Sequence, residues 1–192
     1  MTLLTVWPDD NPRTVLTRTS DGDAVADELK RIGVRFERWP VVEGLSATPS
    51  SDEVLAAYAD RVARVVDNEG YVLVDALHMT PSDEPAWADN AATARQKFLS
   101  EHTHDDDEDR FFARGAGVFY LHVDGNVYGV LCEAGDLLSV PANTTHWFDM
   151  GTRPDYVAIR FFHDEDGWVG NFTGARLSDE FPDFDTLMAS VP

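Results

Sequence analysis

Residues 98–149 read FLSEHTHDDDEDRFFARGAGVFYLHVDGNVYGVLCEAGDLLSVPANTTHWFD. Turn residues cut this stretch into short strand-like runs: FLSEHTH, RFFARG, VFYLHV, NVYGVL, DLLSVP and HWFD, with YVAIRFFH following at 156–163. Asp124-Gly125 between two apolar runs is a two-residue hairpin signal, and Gly135-Asp136 marks another turn. Many short strands in succession predict a mainly β protein whose sheet closes on itself, because closure removes the exposed edges that invite aggregation. The expected fold is an antiparallel β-barrel, either fully closed or of the double-sheet jelly-roll type.

Upstream the pattern is mixed. LLTVW (3–7), RFERW (35–39) and YVLVDAL (71–77) read as strands. DAVADELKRIG places Val25, Leu29 and Ile32 on one helical face, and Gly33 supplies the stop. A helix is expected over 51–67, where Leu55, Tyr58, Val62 and Val65 recur at helical spacing and Asp52 and Glu53 suit the first turn. A third helix is expected over 86–98. No linker or internal repeat divides the chain, so residues 1–192 are expected to form one domain. Its helix-containing portion, about 1–97, would cover one end or face of a core at about 98–170.

Composition narrows the function. Fifteen Lys+Arg against 35 Asp+Glu give a net charge of -20, and only 2 of the basic residues are lysines. Such a surface repels a phosphate backbone and anionic lipid, which argues against nucleic acid and membrane as partners. No apolar run reaches the roughly 20 residues of a membrane helix, and the N-terminus lacks the basic flank of a signal peptide. A cytoplasmic monomer is expected. A single cysteine, Cys132, excludes an internal disulfide and a thiolate-rich metal site and reads as a small buried hydrophobe.

One constellation carries chemistry. His102 and His104, at i and i+2, fall on one face of a strand. Glu108 follows beyond an acidic turn, and His146 lies behind GDLLSVPANTT. Three imidazoles and a carboxylate make an N/O donor set suited to a divalent ion such as Fe, Ni, Co or Mn. Four ligands around an octahedral ion leave two adjacent positions open, enough for a substrate with two neighbouring oxygens. Asp105, Asp106, Asp107 and Asp109 read as a solvated loop, one of which could hydrogen-bond a ligand imidazole. His78, His122 and His163 read as structural.

Arginines are scarce in this half, so Arg110 and Arg160 stand out. Arg110 shares the parity of Glu108, and Arg160 interrupts the apolar strand YVAIRFF. A buried arginine needs an anion, which a metal-bound, deprotonated substrate would be. Glu101 is a candidate base, and Phe98, Phe148 and Trp168 are candidates to line an apolar pocket. Together the site would be locally positive inside a negative protein.

HTH-DDD-E followed by Gly115 resembles the first cupin motif, and Gly135 to His146 resembles the second. Asn143 stands where the second motif usually has Gly; Asn tolerates the left-handed backbone better than most residues. EHTH, E-x-RFF-x-x-G-x-G, VP-x-x-T-x-HWFD-x-G, AIRFF and GWVGNFTG together resemble the acireductone dioxygenases of methionine salvage. The resemblance covers roughly residues 68–182. It implies metal ligation by His102, His104, Glu108 and His146 and substrate contacts from Arg110 and Arg160. It also implies a small-molecule substrate, 1,2-dihydroxy-3-keto-5-methylthiopentene, and O₂. With Fe(II) the implied products are 2-keto-4-methylthiobutyrate and formate; with Ni(II) they are 3-methylthiopropionate, formate and CO. The alternatives are another cupin enzyme or a non-catalytic, metal-stabilised binding cupin. A sugar-phosphate isomerase would need more basic residues than the five that follow Lys97.

Overall fold

The computed structural model describes residues 1–165 and 167–191. Among these residues eleven strands pair in one network organised on a single long strand, β6 (Glu108–Val123). The first half of β6 pairs with β8 (Asp136–Val140) and β10 (Tyr156–Phe162), and its second half pairs with β7 (Asn126–Glu133) and β9 (Thr145–Asp149). RFFARG and VFYLHV are therefore one strand, not two. Gly115 takes φ 71°, and a Cβ there would sit 1.9 Å from the Asp155 carbonyl oxygen. The register against β10 shifts between Val157 and Ala158, so bulge and glycine together bend the strand from one sheet into the other.

The hairpin after β6 forms as expected, with Asp124 at φ 51° and Gly125 at φ 74°, the positive pair that a tight primed turn demands. Asn143 also takes positive φ, 63°. The N-terminal portion is more than a cover. β1 (Leu3–Pro8) pairs with β2 (Thr17–Thr19) and with β7, β3 (Arg35–Arg38) pairs with β8, and β4 (Leu73–Met79) pairs with β10. These strands complete both sheets, so the barrel does not begin at residue 98.

The expected helix 51–67 is two helices. α2 (Ser51–Ala57) and α3 (Ala59–Glu69) meet at Tyr58, whose φ of -112° and ψ of 18° break the spiral. Tyr58 is buried, stacks edge-on against Phe111 at 4.8 Å, and its hydroxyl accepts from the Val42 amide at 3.0 Å. Tertiary contacts thus override a periodicity that runs through the break. α1 (Gly22–Lys30) follows the expected boundaries, with Asp21 capping its N-terminus. α4 (Trp87–Leu99) extends through Phe98, so FLSEHTH supplies only the short strand β5 (His102–Thr103).

Three apolar clusters hold these layers. Leu4, Val6, Phe112, Phe119 and Phe148 fill the barrel; Trp39, Val54, Val65 and Phe161 fix α2 and α3 outside it; Trp7, Trp147, Phe181 and Leu187 seat the C-terminal helix α5 (Phe184–Ala189). Cys132 is fully buried, in keeping with its character as a small hydrophobe. No helix among the described residues is long and apolar enough to cross a membrane.

Candidate metal centre

Sheet register brings the four candidate ligands together. His102 pairs directly with His146 across β5 and β9, and His146 pairs with Leu121 of β6. Glu108 opens β6 opposite Val140. His104 lies just past β5, where its carbonyl accepts from the Asn143 amide at 2.7 Å. The left-handed turn at Asn143 therefore anchors the backbone of a ligand. All four residues are buried, and their donor atoms lie within 4.8 Å of one another.

Each imidazole is oriented from behind. His102 Nδ1 meets the Ser100 carbonyl at 2.7 Å, His104 Nδ1 the Val169 carbonyl at 2.9 Å, and His146 Nδ1 the Thr144 carbonyl at 2.8 Å. A carbonyl only accepts, so each Nδ1 carries the proton and each Nε2 is left for the site. His104 Nε2 and His146 Nε2 lie 3.1 and 3.0 Å from Glu108 Oε2. These two rings thus face acceptors at both nitrogens. An imidazole satisfies that arrangement only as an imidazolium or with a cation in place of the second proton. The donor set and its geometry fit a divalent ion.

The electrostatics agree. Burial, assisted by His146, pushes the His102 imidazole down to about 4, so it is neutral and ready to ligate. Burial also opposes charge on His104, but its bond to Glu108 and that carboxylate's charge prevail and raise it above 6.5. Burial alone would raise Glu108; the Arg110 guanidinium and the two histidines instead hold it well below the usual carboxylate range.

A cavity of about 370 Å³ opens onto the ligands. Arg110, Arg160, Phe98, Phe148 and Trp168 all line it. Register explains the arginines: Arg160 of β10 lies opposite Arg110 of β6 on one side and Asp75 of β4 on the other. Like charges side by side on a sheet repel unless each has a partner. Arg110 donates to Glu108 Oε1 at 2.7 Å and stacks on Phe148 at 4.7 Å. Arg160 makes a two-pronged pair with Asp75 at 2.9 and 2.5 Å. Asp75 is a site residue that reading YVLVDAL as a plain strand missed, although its signal, one charge in an apolar run, is the one that flagged Arg160. Lys97 and Glu165 also line the cavity, and no local signal in the sequence marks either.

Two expectations require correction. Glu101 does not line the cavity; it faces the other side of β5, where its carboxylate meets His122 Nδ1 at 3.1 Å and accepts from the Thr173 hydroxyl at 2.8 Å. Glu101 immediately precedes β5, and the alternation of side chains along extended backbone turns it away from the face that carries His102. Asp105 is exposed, as expected, but Asp106, Asp107 and Asp109 do not form a solvated loop. Asp107 accepts from the Ala142 amide, Asp106 binds the His163 amide and ring, and Asp109 is buried against Arg35. None of the four touches a ligand imidazole, whose outer nitrogens all bond backbone carbonyls. His122 and His163 stay structural.

A sequence model described as the ARD/ARD' family matches residues 6–170. The chain belongs to that family. Among curated relatives, an acireductone dioxygenase of Saccharopolyspora erythraea is 64% identical over 190 residues, covering 99% of this chain and 100% of the relative. One from Frankia alni is 54% identical over 187 residues, covering 97% of this chain and 91% of the relative. A solved acireductone dioxygenase from Bacillus anthracis, with cadmium ion in its active center, superposes with a TM-score of 0.74 at 30% identity, over 90% of this chain and 98% of that one. The ARD assignment carries the fold, a cupin barrel with N-terminal helices and strands, and an enzymatic, metal-dependent dioxygenase activity.

Proposed function

We propose that this ARD-family chain cleaves 1,2-dihydroxy-3-keto-5-methylthiopentene with O₂ in methionine salvage, with one Fe(II) or Ni(II) held by His102, His104, Glu108 and His146. The observation that carries this reading is the convergence of three backbone-oriented Nε2 atoms and Glu108 at the floor of a cavity with mixed polar and aromatic walls. Bound there, the ion supplies a Lewis acid and a template for two neighbouring substrate oxygens.

The chain's own residues divide the remaining work. Arg110 holds Glu108 in orientation and presents its buried guanidinium to the cavity. Arg160, fixed by Asp75, forms a rigid polar wall opposite. Phe98, Phe148 and Trp168 offer apolar surface to the methylthio tail, and the Trp168 indole is pinned by the Asp107 carbonyl at 2.9 Å. The charge balance is finer than two free arginines would give. Among the described residues that line the cavity, Lys97, Arg110 and Arg160 are matched by Asp75, Glu108 and Glu165. With a divalent ion held by neutral histidines and Glu108, these side chains would leave the ion's charge to balance a deprotonated enediol. Among the described residues, the carboxylates that line the cavity outside the ligand set are Asp75 and Glu165, in place of Glu101.

The test is to load the protein with Fe(II) anaerobically, add the acireductone and then O₂, and measure oxygen uptake and formate. Stoichiometric formate is expected. A non-catalytic binding cupin would bind the acireductone and consume no oxygen.

A further inference from the structure

The three cations that line the cavity are not equivalent. Arg110 is engaged by Glu108, and Arg160 delivers Nε and Nη2 to Asp75. Lys97 lines the same cavity, and among the described residues its ammonium has no carboxylate partner. Its position follows from the helix. Lys97 and Phe98 occupy the last turn of α4; Phe98 is half-buried, with its ring edge-on to Phe148 at 6.1 Å, while Lys97 is exposed. α4 thus sends the aromatic inward and leaves the ammonium at the mouth.

That placement matters because of the field around it. The chain carries a net charge of -20, so an approaching enediolate is repelled by the protein as a whole. Glu165, also lining the cavity, adds a further negative charge. Lys97 is one of only 2 lysines in the chain, and the other, Lys30, ends α1 away from the cavity. Lysine suits the mouth of such a cavity, since a compact charge on a flexible stem can follow an anion as it enters.

We propose that Lys97 is a substrate-binding residue whose ammonium pairs with an anionic oxygen of the substrate at the cavity mouth. The proposal rests on the acireductone reading above. It assigns Lys97 to capture and retention, while the metal ligands and Arg110 serve the reaction itself. Its loss therefore moves KM and kcat/KM and leaves kcat near its starting value.

The experiment compares metal-loaded wild type with Lys97→Gln, Lys97→Arg and Lys30→Gln, the last removing the same single charge at a remote site. The acireductone is titrated anaerobically by absorbance, and steady-state rates are measured at several ionic strengths. Lys97→Gln should raise both Kd and KM about fivefold, the upper range for a solvent-exposed pair. The fall of kcat/KM with added salt should be shallower in Lys97→Gln than in wild type. Lys97→Arg should restore most of the affinity, and Lys30→Gln should match wild type. An unchanged Kd in Lys97→Gln, or an equal loss in Lys30→Gln, overturns the assignment of Lys97 alone. Failure of the wild type itself to bind the acireductone overturns the functional reading and this proposal with it.

Discussion

Replacing Arg110 by Met separates the two positive charges that Glu108 can call upon. In the metal-free protein Glu108 is buried, and its carboxylate is balanced by Arg110 at 2.7 Å and by the two histidine nitrogens at 3.0 and 3.1 Å. Methionine keeps much of the apolar stem that packs on Phe148 and Phe119 but removes the charge. Breaking a buried pair by removing one partner costs about 3–5 kcal/mol. His104, already raised above 6.5, can hold its proton more firmly and absorb part of this, so the lower end, about 3 kcal/mol, applies. For a chain of this size that lowers the melting temperature by about 6–12 °C. In the metal-loaded protein the ion balances Glu108 directly, and the same substitution should cost less than half as much. The assay is thermal or urea unfolding of both proteins with and without chelator. Equal losses in both states would refute the idea that Arg110 and the metal are alternative counter-charges, as would no loss in the metal-free state.

Three further outcomes follow from the same geometry. The imidazolium of His104 stabilises the metal-free fold fully below 6.5 and loses that contribution as pH rises through its higher folded value. Ligation needs the neutral ring, so metal affinity should rise at least about tenfold per pH unit below that value and flatten above it, with at least about one proton released per ion at the acid end, measurable by calorimetry in two buffers. His102, held down to about 4, should contribute no such step near neutrality. A Cβ at residue 117 would lie 2.5 Å from the Phe148 ring, so Gly117→Ala should cost about 1–3 kcal/mol in urea unfolding and raise KM by pushing Phe148 into the cavity. Asn143→Ala should lose about 1 kcal/mol at its φ of 63° and weaken metal binding through His104, while Asn143→Gly should retain both.

Much of the site was legible because its signals are local. The spacing of His102, His104, Glu108 and His146, the parity of Arg110 with Glu108, and one arginine in an apolar strand all survive in a single chain read alone. What escaped depends on pairing between distant strands. Asp75 and Arg160 are 85 residues apart and meet only because β4 and β10 share a register. The acidic turn looked solvated because nothing local shows that Arg35, the Ala142 amide and His163 return to it. Glu101 looked adjacent to the chemistry; strand alternation turns it to the opposite face. In the fold, Gly115 resembled a turn and proved to be the bend in one long strand, and the helical period across Tyr58 concealed a break imposed by its packing on Phe111.

The central claim is that the ion held by this cluster directs the reaction. One preparation of apoprotein, divided and reconstituted with Fe(II) or with Ni(II), tests it through its products. Formate should appear in both aliquots, 2-keto-4-methylthiobutyrate only with Fe(II), and CO with 3-methylthiopropionate only with Ni(II). A His146→Ala preparation should bind neither ion tightly and yield none of these. Full metal occupancy without formate, or full occupancy and turnover in His146→Ala, would contradict the account.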